Sequence, residues 1–180
     1  MKRSKKNKLI TFEELKELVS YNSDTGIFIW NKRPPTCRKN NTFNTRFSGK
    51  RTGYIRKNGY RAINIQGYGE YQCGRLAWLY TYGHFPKEEI DHVNLNKVDD
   101  RIENLREASR SQNATNRSTQ SNNTTGYKGV WKRKGMDLWV AGVSKDGKNI
   151  KLGSFDCPQK AHAAYIAEIT KMHGEFVRHE

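Results

Sequence analysis

Apolar positions recur at helical spacing near the start of the chain and then change period. Leu15, Leu18 and Val19 form one stripe, and Thr11 with Glu14 reads as a T-x-x-E capping box. A helix is therefore predicted to begin at Thr11. D-T-G at 24–26 breaks the pattern, and I-F-I-W at 27–30 reads as a strand. Residues 31–52 are polar, with Pro34-Pro35 and a run of Arg, Lys and Asn, and read as a loop or linker. Alternation returns in Y-I-R-K-N-G-Y-R-A-I-N-I-Q (54–66), where Asn58-Gly59 predicts a hairpin turn. G-Y-G at 67–69 is a second turn leading into E-Y-Q-C. R-L-A-W-L-Y-T-Y (75–82) reads as a helix ended by Gly83, and S-R-S-Q-N-A-T-N-R (109–117) as the start of a weaker one.

The pattern changes again after the low-complexity polar stretch 117–126. G-Y-K-G-V-W-K-R-K, L-W-V-A-G-V-S-K and K-N-I-K-L-G-S-F read as three short strands, with Asp146-Gly147 turning the second into the third. A helix is predicted from Cys157 to His173, capped by Asp156 with Gln159 as partner. Ala161, Ala163, Ala164 and Ala167 would let it lie close on the sheet. The fold class expected is α+β, in two small domains.

Composition narrows the partners. Of 180 residues, 34% are hydrophobic, so two modest cores suit the chain better than one large one. The formal net charge of +15 favours a polyanionic partner, nucleic acid or an anionic membrane surface. No apolar run is long enough to span a bilayer, and no apolar stretch follows the basic M-K-R-S-K-K-N-K to make a signal peptide. Cys37, Cys73 and Cys157 are scattered singly, with no C-x-x-C zinc pair, which suits a reducing, cytoplasmic setting. His84, His162, His173 and His179 read as surface residues.

E-I-D-H-V-N-L-N-K-V-D-D-R-I-E-N-L (89–105) is the segment with candidate chemistry. Phosphodiester hydrolysis needs an activated water and charge stabilisation on the leaving oxygen. A histidine can take the proton, and a divalent metal on few oxygen ligands can hold the charge. Neighbours on a strand face opposite ways, so Asp91 and His92 must sit where a strand ends or bends. An ordinary polar turn would also read this way.

The longer run E-I-D-H-V-N-L-N-K-V-D-D-R-I-E-N-L-R-E-A-S-R-S-Q-N-A-T-N resembles the zinc-free HNH endonucleases of phage and homing type. Ile90, Asp91, His92, Asn94, Asp99, Arg101, Asn104, Leu105, Arg106, Gln112, Asn113 and Asn116 match the family pattern. His92 to Asn104 is twelve residues and Asn104 to Asn113 nine, the spacing of a ββα-metal site. The resemblance covers most of residues 10–117. It implies a nuclease domain at 10–116, its core motif at 71–116, after a basic tail at 1–9. It also implies His92 as the base that activates water and Asn104 as support for its loop. Asp91 and Asn113 would hold one divalent metal, Mg²⁺ first and Mn²⁺ second, with no structural zinc. Double-stranded DNA is the implied substrate, with Arg75 and Arg101 as candidate backbone contacts. Asp100 departs from the pattern, standing where Asn is usual. Gly74 stands where relatives carry His, which keeps open an inactive, DNA-binding or regulatory descendant.

Beyond a linker at 117–124, residues 125–180 resemble the APETALA-two (ERF-type) DNA-binding domain through G-Y-K-G-V, L-G-S-F and A-H-A-A-Y. The resemblance implies a three-stranded antiparallel sheet in the major groove, backed by a helix. Lys128, Trp131, Arg133 and Lys151 match its DNA contacts. Gly142 and Ser144 stand where relatives often carry charged ones. Trp139 reads as core. Whether the protein acts as a monomer or a dimer is left open.

Overall fold

The structure is a computed structural model that describes residues 8–116, 122–145 and 147–177. Most of the basic tail, the start of the expected linker, Asp146 of the expected turn and His179 lie outside the described residues. The chain divides into two compact units, Met1–Ala108 and Ser109–Glu180.

The first unit begins with helix α1, Phe12–Leu18. Its capping box is formed: the Thr11 hydroxyl accepts from the Glu14 N–H at 3.2 Å, and the Glu14 carboxylate accepts from the Thr11 N–H at 3.0 Å. Leu15 is buried as expected, but Val19 opens strand β1 (Val19–Asn22) instead of extending the helix. Its branched side chain suits the extended backbone it adopts there. β1 pairs antiparallel with β2, Ile27–Trp30, with Val19 opposite Trp30. In the turn between them the Asn22 side-chain oxygen accepts from the N–H groups of Asp24 and Thr25. Gly26 follows at φ +68°. A Cβ there would stand 2.6 Å from the Arg101 nitrogen, so only glycine lets this turn approach that backbone.

The span expected to be a loop contains a helix, α2, Arg38–Phe47. None of its residues is buried, so it lacks the apolar face that announces a helix in sequence. Strands β3 (Tyr54–Ile55), β4 (Arg61–Ile65) and β5 (Gly69–Gln72) form an antiparallel sheet in chain order. The hairpin at Asn58-Gly59 is present but wider than two residues, closed by the Arg56 N–H on the Tyr60 carbonyl. Helix α3, Cys73–Tyr82, ends at Gly83 with φ +78°, as predicted. β6 (Glu89–His92) and β7 (Leu105–Ala108) form an antiparallel pair, with Asp91 opposite Arg106 and His92 opposite Leu105. Leu15, Val19, Phe28, Ile63, Ile65, Cys73, Leu76 and Leu105 share one core, which joins α1, α3 and β7.

The second unit opens with helix α4, Arg110–Asn116, followed by β8 (Val130–Lys132), β9 (Trp139–Lys145), β10 (Lys148–Phe155) and helix α5 (Pro158–His173). The sheet is antiparallel in the order β10-β9-β8. Its inner face meets α5 through Val130, Ala141, Val143, Ala161, Tyr165 and Ile169. Ala161 and Ala164 face this core, whereas Ala163 and Ala167 are exposed. The predicted cap is different: Cys157 is the N-cap residue, and Asp156 accepts from the Lys160 ammonium at 2.7 Å. The unit boundary at Ala108 precedes the expected linker because α4 packs within the second unit. The Lys128 ammonium binds the carbonyls of Ala114 and Thr115, and Ser111 Oγ lies 3.1 Å from His173 Nε2. A seven-residue helix is not stable alone and needs such partners. The molecule is thus mixed α+β, with small antiparallel sheets. Among the described residues no helix is long and apolar enough to cross a membrane.

Candidate active site

His92 is the last residue of β6, where the strand ends and the chain turns. This resolves the geometric problem of adjacent chemistry on a strand. Asp91 and His92 are both buried. Asp91 looks across to β7, and its Oδ2 accepts from Arg106 Nε at 2.9 Å. The His92 Nε2 lies 3.3 Å from Asp100 Oδ1, and Tyr60 packs at 5.8 Å from the imidazole.

The loop from Val93 to Arg101 holds this arrangement. Asn104 braces it from within: its Oδ1 accepts from the Asn94 N–H at 2.9 Å, and its Nδ2 donates to the Asp99 carbonyl at 2.8 Å. The Asn104 carbonyl also accepts from the Val93 N–H. Among the described residues Leu95 alone, apart from glycines, has a positive φ, +65°. A strained residue of this kind persists only where its surroundings over-determine it. The N-terminal elements clamp the loop from outside. The Tyr21 hydroxyl donates to the Asp100 carbonyl at 2.7 Å, and the Ile102 N–H donates to the Ser23 carbonyl at 3.2 Å.

Asp100 is the residue that sequence reasoning undervalued. It is 2% exposed. One carboxylate oxygen faces His92, and the other lies 3.8 Å from Arg61 Nε without a hydrogen bond. The available signal was the acid itself, standing where the family pattern has Asn. Gly74 adjoins it: a Cβ there would sit 3.5 Å from Asp100 Oδ1 and 3.3 Å from Ile90 Cγ2. The two departures from the pattern, Gly74 and Asp100, are therefore neighbours in space. Burial first, then the Asp100 charge, pushes the Tyr21 phenol and the Cys73 thiol up, so both stay protonated at neutral pH.

The other expected site residues fall into three places. Arg75 donates to the carbonyls of Pro86 and Glu88, and Arg101 forks onto Asp99 and also pairs with Glu103, so both guanidiniums are engaged within the protein. Lys128 caps α4 as described. Trp131 and Lys151 lie on the outer face of the second unit's sheet, away from α5. Trp131 is opposite Val140 and 46% exposed, and Lys151 is opposite Gly142. A Cβ on Gly142 would stand 2.9 Å from the Trp131 ring, so the glycine makes room for that ring across β9. Arg133 is exposed, just beyond β8, and Trp139 packs at the edge of the core. Asn113 is buried in α4, a residue of the second unit.

A buried carboxylate and a buried imidazole thus stand side by side at the end of β6, next to an asparagine-braced loop. The family model for HNH endonucleases matches residues 71–115, which include Asp91, His92, Asn104 and Asn113. The chain is also 32% identical over 103 residues to Protein 3.8 of Escherichia phage T7, covering 57% of this chain and 84% of that protein. It belongs to the same family as that protein and carries an HNH endonuclease domain. No solved structure matches it significantly.

Proposed function

We propose that this protein is a metal-dependent DNA endonuclease whose second unit binds the target duplex. The observation that carries the reading is His92, buried at the end of β6, paired with Asp100 and supported by Asn104 through its loop. In this reading His92 takes the proton from the attacking water. Asp100 accepts from Nε2–H, which fixes the tautomer and the ring plane. Asn104 acts through backbone geometry only.

The donor chemistry suits a hard divalent ion. Asp91 is a buried carboxylate, and Mg²⁺ needs few protein oxygens because it keeps several waters. Asp91 would hold the ion with the carboxylate it shares with Arg106. Asn113 is assigned as second donor by the register of the motif alone. When bound, the ion would stabilise negative charge on the leaving oxygen.

For the second unit we adopt the ERF-type reading, with the outer face of β8–β10 as the duplex contact. Support comes from the exposed Trp131 indole, Arg133 and Lys151. A rival reading, a DNA-binding protein without catalysis, rests on Gly74. Incubating supercoiled DNA with the protein and a series of divalent metals separates the two. Nicked or linear product is expected, with a rate about 10²- to 10⁴-fold lower for His92→Ala at unchanged binding. Intact DNA binding with no cleavage in any metal would leave the rival standing.

A further inference from the structure

Between Asp24 and Glu70 the chain carries ten lysines and arginines and not one aspartate or glutamate. Arg56 is paired with Glu70, and Arg61 stands beside Asp100. Among the described residues the other eight form no ion pair. Most of them sit on α2 and the turns flanking it, the element that sequence patterning did not predict.

That element is a fixed platform. The return that follows it is tied to β2, through the Gly49 N–H on the Trp30 carbonyl at 2.9 Å and the Trp30 N–H on the Lys50 carbonyl at 3.1 Å. Asn44 pins the helix from inside, donating to the Arg33 carbonyl and accepting from the Arg33 N–H, both at 2.8 Å. The Arg33 guanidinium lies 3.6 Å over the Phe43 ring, and Phe43 packs edge-on to Trp30. Arg38, Lys39 and Arg46 are exposed around an open groove of about 650 Å³.

Like charges held together on a rigid surface repel one another, and a densely anionic partner relieves that repulsion. A ten-residue helix is about 15 Å long. Duplex DNA carries one charge per about 1.7 Å of axis, so several phosphates fall within reach. Single strands are gripped on series of open aromatic platforms. Here Phe43 is covered by Arg33, and Phe47 is the exposed ring of α2.

We propose that α2 and its flanking turns form a second duplex-DNA surface, on the nuclease unit itself, that grips the phosphate backbone without reading sequence. It rests on the DNA reading above and adds a grip separate from the sheet of the second unit. The test uses the full chain and the triple variant Arg38→Gln, Lys39→Gln, Arg46→Gln. Affinity for a 30-base-pair duplex is measured across a salt series, with two unrelated sequences and a single-stranded RNA of equal length. The log-affinity against log-salt slope is expected to fall by about one for each phosphate no longer neutralised, up to about three. Affinity at low salt should drop at least about tenfold, equally for both duplexes, with the thermal midpoint unchanged. An unchanged slope in the folded variant, or a larger loss on RNA than on duplex, would overturn the proposal. Wild-type protein that binds with the expected slope but never nicks would remove the nuclease reading and leave this surface standing.

Discussion

Asp100 and His92 are both buried, and the contact between them offsets part of the cost of taking each from water. Replacing Asp100 by Ala would leave Arg61 and His92 without their buried carboxylate, at a cost of about 3–5 kcal/mol in stability. Asp100→Asn keeps the shape and removes only the charge. That variant is expected to fold and bind DNA at near wild-type affinity while its turnover falls about tenfold or more. Turnover and KM measured separately check it, since a purely structural role would move both or neither. Gly74 belongs to the same pocket. A side chain at this position meets Ile90, Leu105 and Asp100 at 3.3–3.5 Å, so Gly74→His should destabilise by about 1–3 kcal/mol through overpacking. Chemical denaturation measures this directly. Gly74 thus occupies a packed space bordered by Asp100.

At the scale of elements, the Asn104 side chain braces the loop between β6 and β7 from within, on two backbone groups. Asn104→Ala leaves the Asn94 N–H and the Asp99 carbonyl without their partner, costing about 1–3 kcal/mol. Cleavage should fall with it, because His92 enters that loop. Asn104→Asp keeps the acceptor and loses the donor, so it should lie between the two in denaturant midpoint. The helix α4 has a comparable dependence on Lys128, whose ammonium meets the carbonyls of Ala114 and Thr115 near the helix end. Lys128→Ala is expected to lower stability by about 0.3–1 kcal/mol, the usual scale for a cation at a helix C-terminus. Thermal melting beside duplex-binding measurements would separate this role from the DNA contact proposed for the second unit.

For the whole molecule, acid stability is set in part by carboxylates that brace two separate places. Asp99, bonded first by Arg101, is held down to about 2, and Glu14, bonded first by Lys8, likewise to about 2. Both folded values lie below the ordinary ones of 3.8 and 4.5. Their contribution is therefore fully present above about pH 4.5 and lost as pH falls towards about 2. The double variant Asp99→Asn, Glu14→Gln should be less stable at neutral pH and show a shallower loss over that window. Unfolding midpoints followed from pH 6 to pH 2 would show it. A wild-type profile flat across this range would contradict the two braces.

Much of this molecule was legible in the sequence, wherever the information is local. The capping box at Thr11 and Glu14, the glycine stop at Gly83 and the strand series β8–β10 all act over a few residues. Backbone conformation and side-chain period alone dictate them. What the sequence could not determine depends on residues far apart along the chain. Nothing local marks α2 as a helix, because its face is not buried and its anchor is Trp30 and the return at Gly49. Nothing local makes Asp100 the partner of His92, or places Gly74 against it, because β4, α3 and the β6–β7 loop meet only in the folded core. The boundary at Ala108 follows for the same reason: α4 is adjacent to β7 in sequence but takes its packing from α5. Tertiary structure decided these points because burial and pairing belong to the space between elements, which no single stretch of sequence contains.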